Sequence, residues 1–90
     1  YLMGRQPEAG IMEEIKAKAC AVAGVLGIHD IRAHYVGNYI HVEIHISLNQ
    51  HLTLTEAHEI GKNVQRTVEN IESIHKAFVH IDPIGMTSRI

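Results

Sequence analysis

The amino-acid sequence predicts an α+β fold in which two helices cover one face of a three-stranded mixed sheet. Three observations support it: an amphipathic stretch from Ile11, two alternating runs joined by Gly37-Asn38, and a second amphipathic stretch followed by another alternating run. Ninety residues, 46% of them hydrophobic, suffice for one small domain with a single core. Helix, hairpin, helix and strand therefore form one α+β layer structure.

The first helix is predicted from a set of apolar residues at helical spacing, with charged residues on the other side: Ile11, Ile15, Ala19 and Val22. Gly24 and Gly27 are expected to end it. Cys20 lies within this apolar pattern and is predicted to be a small buried residue, with a thiolate metal ligand as the less favoured alternative. Residues 1–10 show no periodicity and contain Gly and Pro, which is typical of a linker.

The hairpin is predicted over residues 28–36 and 39–48, with the turn at Gly37-Asn38 fixing the register. In this register one face is apolar and the other is polar, with these opposed pairs: Asp30 and His45, Arg32 and Glu43, His34 and His41. Arg32 and Glu43 are expected to form a cross-strand ion pair. His34 and His41 are expected to stack or hydrogen-bond, because they offer a metal two ligands and no third.

The second helix is predicted to begin at a capping box in which Thr53 and Glu56 bond each other's backbone. Its buried stripe contains Ala57, Ile60, Gly61, Val64, Val68 and Ile71. A last strand over Lys76–Pro83 places Phe78, His80 and Asp82 on one face. Because a helical crossover precedes it, this strand should run parallel to the second.

Eight histidines are the unusual feature of the composition. His51 and His75 are predicted to lie in solvent-exposed loops. His45, His80 and Asp82 should share the sheet face that no helix covers, and His29 and His58 begin elements that can border a sheet end. Spacing alone leaves a metal site and a set of structural histidines equally open, since close-set ligand pairs are absent.

Four stretches in order, 24–32, 41–46, 52–58 and 79–83, closely resemble the cytosolic C-terminal domain of cation diffusion facilitator transporters. The resemblance implies a ferredoxin-like, metallochaperone-like α-β-β-α-β fold and a homodimer that binds Zn²⁺ or other divalent cations. The family's metal ligands are matched here by His29, His45, His58, His80 and Asp82. The resemblance also implies that the Asp82 carboxylate can bridge two ions.

The resemblance further implies the division of the chain and its role. Residues 1–10 would follow a membrane domain, 11–84 would form the metal-binding dimerisation domain on the cytoplasmic side, and 85–90 would be a tail. The implied function is regulation of divalent cation efflux, without catalysis. A free-standing metal carrier is the alternative, and a metallohydrolase with Glu43 or Glu56 as base is a weaker one. A net charge of −2 gives no reason to expect nucleic acid as a partner.

Overall fold

The computed structural model describes residues 9–84, and the side chains of residues 10–82. Five elements follow in the predicted order: α1 (Ala9–Cys20), β1 (Gly27–Val36), β2 (Tyr39–Asn49), α2 (Leu54–Glu69) and β3 (Ile74–Ile84). Most of the predicted linker and all of the predicted tail lie outside the described residues. The α-β-β-α-β order and the α+β class are confirmed.

The sheet has β2 at its centre and β1 and β3 at its edges. β1 pairs with β2 in the predicted antiparallel register, from Val36 opposite Tyr39 to Asp30 opposite His45. Gly37 has a φ of 63° at the turn, a left-handed conformation that glycine adopts without steric cost. β3 runs parallel to β2, as expected after a helical crossover. The predicted mixed sheet is confirmed.

The helix α2 begins at the predicted capping box. The Thr53 backbone N–H donates to Glu56 Oε1 at 2.9 Å, and the Glu56 backbone N–H donates to Thr53 Oγ1 at 3.1 Å. One turn further on, a Cβ added at Gly61 would lie 3.2 Å from Ile81 Cδ1. The missing side chain therefore lets α2 approach β3 closely, which brings the first turns of the helix to the edge of the sheet.

Both helices pack against one face of the sheet, called here the covered face. The fully buried side chains between the layers are Ile15 and Ala19 of α1, Val42, Ile44, Ile46 and Leu48 of β2, and Val64 and Val68 of α2. Each large aliphatic residue among them contributes about 1.5–3 kcal/mol relative to an exposed one. Neither described helix combines the length and the apolar character needed to cross a bilayer.

The opposite face, called here the open face, has no helix against it in the described part of the chain. It carries one apolar side chain, Phe78, and the polar side chains of the three strands: Asp30, Arg32, His34, His41, Glu43, His45, Ser47, Lys76, His80 and Asp82. Phe78 is 51% exposed there. Strand alternation predicted which way three candidate ligands would point, and all three, His45, His80 and Asp82, lie on this face.

Each edge strand contains a β-bulge, and in each the extra residue is a histidine. His29 is the extra residue between Ile28 and Asp30 of β1. His75 is the extra residue of β3, because Ile74 pairs with Ile40 while Lys76 already pairs with His41. The expected loop position of His75 is therefore wrong, although its exposure to solvent was predicted correctly.

Cys20 is exposed, so its predicted burial is also wrong. The helix buries Ile15 and Ala19, which lie four residues apart on one side. Cys20 follows directly and is rotated by about 100° from Ala19, away from the core. It is also the last residue of α1, so the helix ends before Gly24 and Gly27, which were expected to end it.

Candidate metal centre

Two histidines from neighbouring strands face each other on the open face. His45 of β2 and His80 of β3 are partners in the parallel register. Their rings stack with centroids 4.6 Å apart and planes 11° from parallel. The sequence prediction that both lie on this face is matched by the geometry, and their nitrogen atoms are close enough to serve one ion.

Glu43 completes this group. Its Oε2 lies 2.8 Å from His80 Nε2 and 4.0 Å from His45 Nε2. Among the described residues, Glu43, His45 and His80 form the one group of three potential metal ligands whose donor atoms all lie within 4.8 Å of one another. Glu43 was absent from the predicted ligand set, although its position two residues before His45 on one strand places it on the same face.

The expected partner of Glu43 was Arg32, because the two residues are opposite each other in the register of β1 and β2. Pairing across the strands is as predicted, but Arg32 Nε donates to Asp30 Oδ2 at 2.9 Å, within its own strand. The Arg32 side chain is 75% exposed, so it gains little from either carboxylate. Glu43 is left to approach His80, and the expected Arg32–Glu43 ion pair does not form.

Asp82 lies beside the group on its other side. Its Oδ2 is 3.6 Å from His45 Nδ1, while Glu43 approaches the Nε2 atom of the same ring. The two carboxylates therefore flank the His45 ring from opposite ends. Asp82 pairs in register with Ser47 and lies two residues beyond His80 on β3.

His29 is close to this centre but is held by a different partner. The bulge in β1 places its ring against the buried Ser47, and His29 Nε2 is hydrogen-bonded to Ser47 Oγ. Since Ser47 lies between β1 and Asp82 of β3, His29 borders the cluster without belonging to its close group. With Nε2 engaged in this way, Nδ1 is the ring nitrogen of His29 that could bind an ion without breaking the hydrogen bond.

His58 also lies outside the close group of Glu43, His45 and His80. It lies in the first turns of α2, exposed to solvent. It lines a surface cavity of about 410 Å³ between α2 and β3, whose wall also includes His80, Phe78 and Gly61. His58 and His80 thus share a cavity wall, but His58 is not among the side chains that converge with Glu43.

The donor set suits a borderline divalent cation. Glu43, His45 and His80 offer one carboxylate and two imidazoles to a single ion, and a zinc ion takes four such ligands at about 2.0–2.2 Å. Asp82 would become the fourth ligand only after its side chain turned away from the Nδ1 end of the His45 ring. Nickel, cobalt and manganese accept the same donors with different preferences. The side chains are between 33% and 57% exposed, so an ion has direct access from solvent.

Residues 7–84 match the family described as cation efflux protein, cytoplasmic domain. The chain belongs to this family. The resemblance drawn from the four sequence stretches is therefore confirmed, and the cytoplasmic placement follows from the part of the transporter that the family describes.

Relatives of this cation efflux domain are transporters. The chain is 42% identical over 82 residues to an uncharacterized transporter of Methanocaldococcus jannaschii, covering 91% of the chain and 29% of the relative. It is 30% identical over 63 residues to the manganese efflux system protein MneS of Bacillus subtilis, covering 70% of the chain and 22% of the relative. The cation efflux domain thus spans less than a third of the length of these proteins.

Solved structures of the MamM CTD share the fold of this cation efflux domain. A nickel form has a TM-score of 0.80 with 31% identity, covering 84% of this chain and 98% of that one. A cadmium form has a TM-score of 0.79 with 33% identity, covering 83% of this chain and 95% of that one. At this identity and coverage, the likeness confirms the metallochaperone-like fold.

Proposed function

We propose that this chain is the regulatory, metal-binding and dimerising domain of a divalent cation efflux transporter, with Zn²⁺ as the principal ion. The observation that supports the proposal is the convergence of Glu43, His45 and His80 on the open face, with Asp82 alongside. The nickel and cadmium forms of the MamM CTD add support, since domains of this fold take up such ions.

The ion would link strands that are distant in sequence. Glu43 and His45 come from β2, whereas His80 and Asp82 come from β3. Without an ion, the contact between Glu43 and His80 is a partly exposed polar contact that contributes about 0–1 kcal/mol. With an ion, the same carboxylate binds the metal instead, and the two negative charges offset the charge of the cation.

The wider ligand set of the proposal includes His29 and His58. Each lies next to one end of the close group, His29 through Ser47 and His58 through the cavity it shares with His80. A rearrangement of these two side chains would bring a second ion within reach, with Asp82 placed to bridge the two ions. Metal uptake would then reshape both the edge of β1 and the start of α2.

Dimerisation is proposed to use the open face. Phe78 and Tyr39 are 51% and 56% exposed on or beside it, and no described element covers them. Burying such aromatic side chains between two copies is a common source of association energy. Light scattering over a concentration series, with zinc and with a chelator, measures this directly. A monomer under all conditions would contradict the dimer.

In the complete transporter, metal uptake here would change how two such domains pack and so bias the membrane part. Regulation rather than catalysis is the proposed role. Incubation of the zinc-loaded chain with generic ester and phosphate substrates should therefore give no turnover, and measurable hydrolysis would favour the metallohydrolase alternative.

The decisive experiment is a metal titration that records affinity, stoichiometry and molecular mass together. Zinc should bind the 90-residue chain, and His80→Ala should abolish the tightest site. His51→Ala is the matched control, because His51 is an exposed histidine in the turn after β2. Manganese, the ion named for the Bacillus subtilis relative, should bind more weakly than zinc, since imidazole ligands favour zinc. Equal zinc affinity of the parent and His80→Ala would refute the proposed centre.

A further inference from the structure

A second cluster of histidines lies at the other end of the open face. It contains His34 of β1, His41 of β2 and His75 of β3, one from each strand. We propose that this cluster is a second, weaker site for a divalent cation that prefers imidazole ligands, such as Zn²⁺ or Ni²⁺. His41 and His75 are its principal ligands and His34 is the third.

The spacing of neighbouring rings in this cluster is close to the spacing that a shared ion requires. The His41 and His75 rings have centroids 5.7 Å apart with planes 16° from parallel, and the His34 and His41 centroids are 6.2 Å apart. Two imidazoles on one tetrahedral zinc, with nitrogen at about 2.0–2.1 Å from the metal, have centroids roughly 5 Å apart. Each of these neighbouring pairs is therefore about 1 Å wider than a shared ion requires. For all three rings to bind one ion, His34 and His75, which lie on opposite sides of His41, must also turn toward each other.

The outer two rings have room to make this movement. His34 and His75 are exposed and lie on the edge strands, whereas His41 is half-buried on the central strand. Rotation about the side-chain torsions of the outer pair moves their nitrogen atoms without disturbing the core. The Tyr39 ring lies against His75, with centroids 4.6 Å apart, and limits the directions in which that ring can turn.

The bulge in β3 is what supplies the third histidine. In a regular strand, residues adjacent to each other point to opposite faces, so His75 and Lys76 could not both accompany His41. The extra residue re-aims His75 beside the His41 ring, an effect bulges have next to functional sites in other proteins. The bulge in β1 likewise has a histidine as its extra residue, His29, which is hydrogen-bonded to Ser47 and borders the first centre.

The two clusters are separate sites. His41 precedes His45 by four residues on β2, which corresponds to roughly 13 Å at the strand rise of about 3.3 Å per residue. One ion cannot be held by both sets of ligands at that separation. The second site thus does not depend on the function proposed for the first.

Charge distinguishes the second site from the first. Its ligands are all imidazoles, whereas the first has Glu43 and Asp82, and Lys76 is the register partner of His41 on the same face. A neighbouring ammonium group repels a bound cation, so this site should be the weaker of the two. Manganese and magnesium, which prefer carboxylate oxygen, should not bind it.

The test uses zinc chloride and nickel chloride titrations of the 90-residue chain in the His80→Ala background, which removes the tight site. One weaker site should remain, and His41→Gln should lower its affinity by at least about tenfold, as loss of a principal ligand does. His75→Gln should have a similar effect, and it substitutes an exposed side chain, so folding is preserved if His41→Gln proves unstable. His51→Gln is the matched control and should bind as the background does.

Two further measurements make the test specific. Lys76→Gln should tighten binding at the weaker site severalfold, which a merely structural histidine cluster would not produce. With His80 intact, manganese should bind the parent chain and the His41→Gln variant equally. Equal stoichiometry and affinity of the background, His41→Gln and His75→Gln for both zinc and nickel would overturn the proposal. If the parent chain bound zinc at the second site but not at the first centre, the proposed regulatory function would be contradicted and the second site would not.

Discussion

The two faces of the sheet come from the same strands but differ in what stabilises them. On the covered face Val42, Ile44 and Ile46 are at most 1% exposed and pack between the sheet and the helices. Between them along β2 lie Glu43 and His45, whose side chains are 43% and 33% exposed on the open face. Alternation thus lets one strand carry a core and a metal centre. Substitutions on the two faces should therefore separate stability from metal binding.

The largest effect is expected on the covered face, from Ile44→Ala. Ile44 is fully buried at the centre of the core, and truncation of such a residue costs about 2–5 kcal/mol of unfolding free energy. Urea denaturation of the metal-free chain measures the loss. Val36→Ala is the control, since Val36 is 45% exposed and should change stability far less. A loss below about 1 kcal/mol for Ile44→Ala would show that the core is not centred on β2.

The next largest effect is expected on the open face, from His80→Ala, and only when metal is present. Zinc at about a hundred times its Kd should stabilise the parent by about 2.7 kcal/mol, and the variant should lose most of this increment. With a chelator the two proteins should differ by about 1 kcal/mol or less, because the contact of His80 with Glu43 is partly exposed.

Thermal unfolding of both proteins, each with zinc and with chelator, gives the four values required. His51→Ala should keep the full zinc increment. If His80→Ala destabilised the protein equally with and without zinc, His80 would be a structural residue. The separation between a covered face that sets stability and an open face that binds metal would then fail at this position.

A smaller effect is expected from removing either carboxylate, through Glu43→Gln or Asp82→Asn. Each substitution keeps the shape of the side chain and removes one negative charge beside the ion, and each should weaken zinc binding by about tenfold, or about 1.4 kcal/mol. Calorimetric titration measures both. Glu43→Gln is the sharper test, since the structure rather than the sequence places Glu43 in the centre. If only Asp82→Asn lowered the zinc affinity, Glu43 would not be a ligand, and the ligand set expected from the resemblance would be favoured.

The smallest effect is expected from Cys20→Ser. The thiol is exposed at the end of α1, so stability should change by no more than about 0.5 kcal/mol. Zinc affinity should be unchanged in the same calorimetric titration. A marked fall in affinity would mean that α1 takes part in metal binding.

The covered face and the hairpin could be predicted from sequence because their signals are local and mutually consistent. The turn at Gly37 and the two-residue alternation fix the register together, and the capping box fixes the start of α2. The same alternation correctly assigned His45 and His80 to the open face.

The contacts on the open face could not be predicted to the same degree. The register shows which residue lies opposite Glu43, but it does not determine which carboxylate that residue, Arg32, binds. The exposed Arg32 side chain binds Asp30 instead, because its rotamer directs it along its own strand. A bulge adds one residue without any change in composition, so nothing in the alternation indicated that His75 joins His41. The parts that sequence missed are those set by single side chains rather than by repeated patterns.

The parallel pairing of β2 with β3 has a kinetic consequence. The whole of α2 lies between the two strands in the chain, so their contacts are non-local and close a long loop. If these contacts form after the rate-limiting step of folding, an ion bound across them should slow unfolding while leaving the folding rate nearly unchanged. Metal supply would then set how long each folded domain lasts, and not how fast new copies reach the native state.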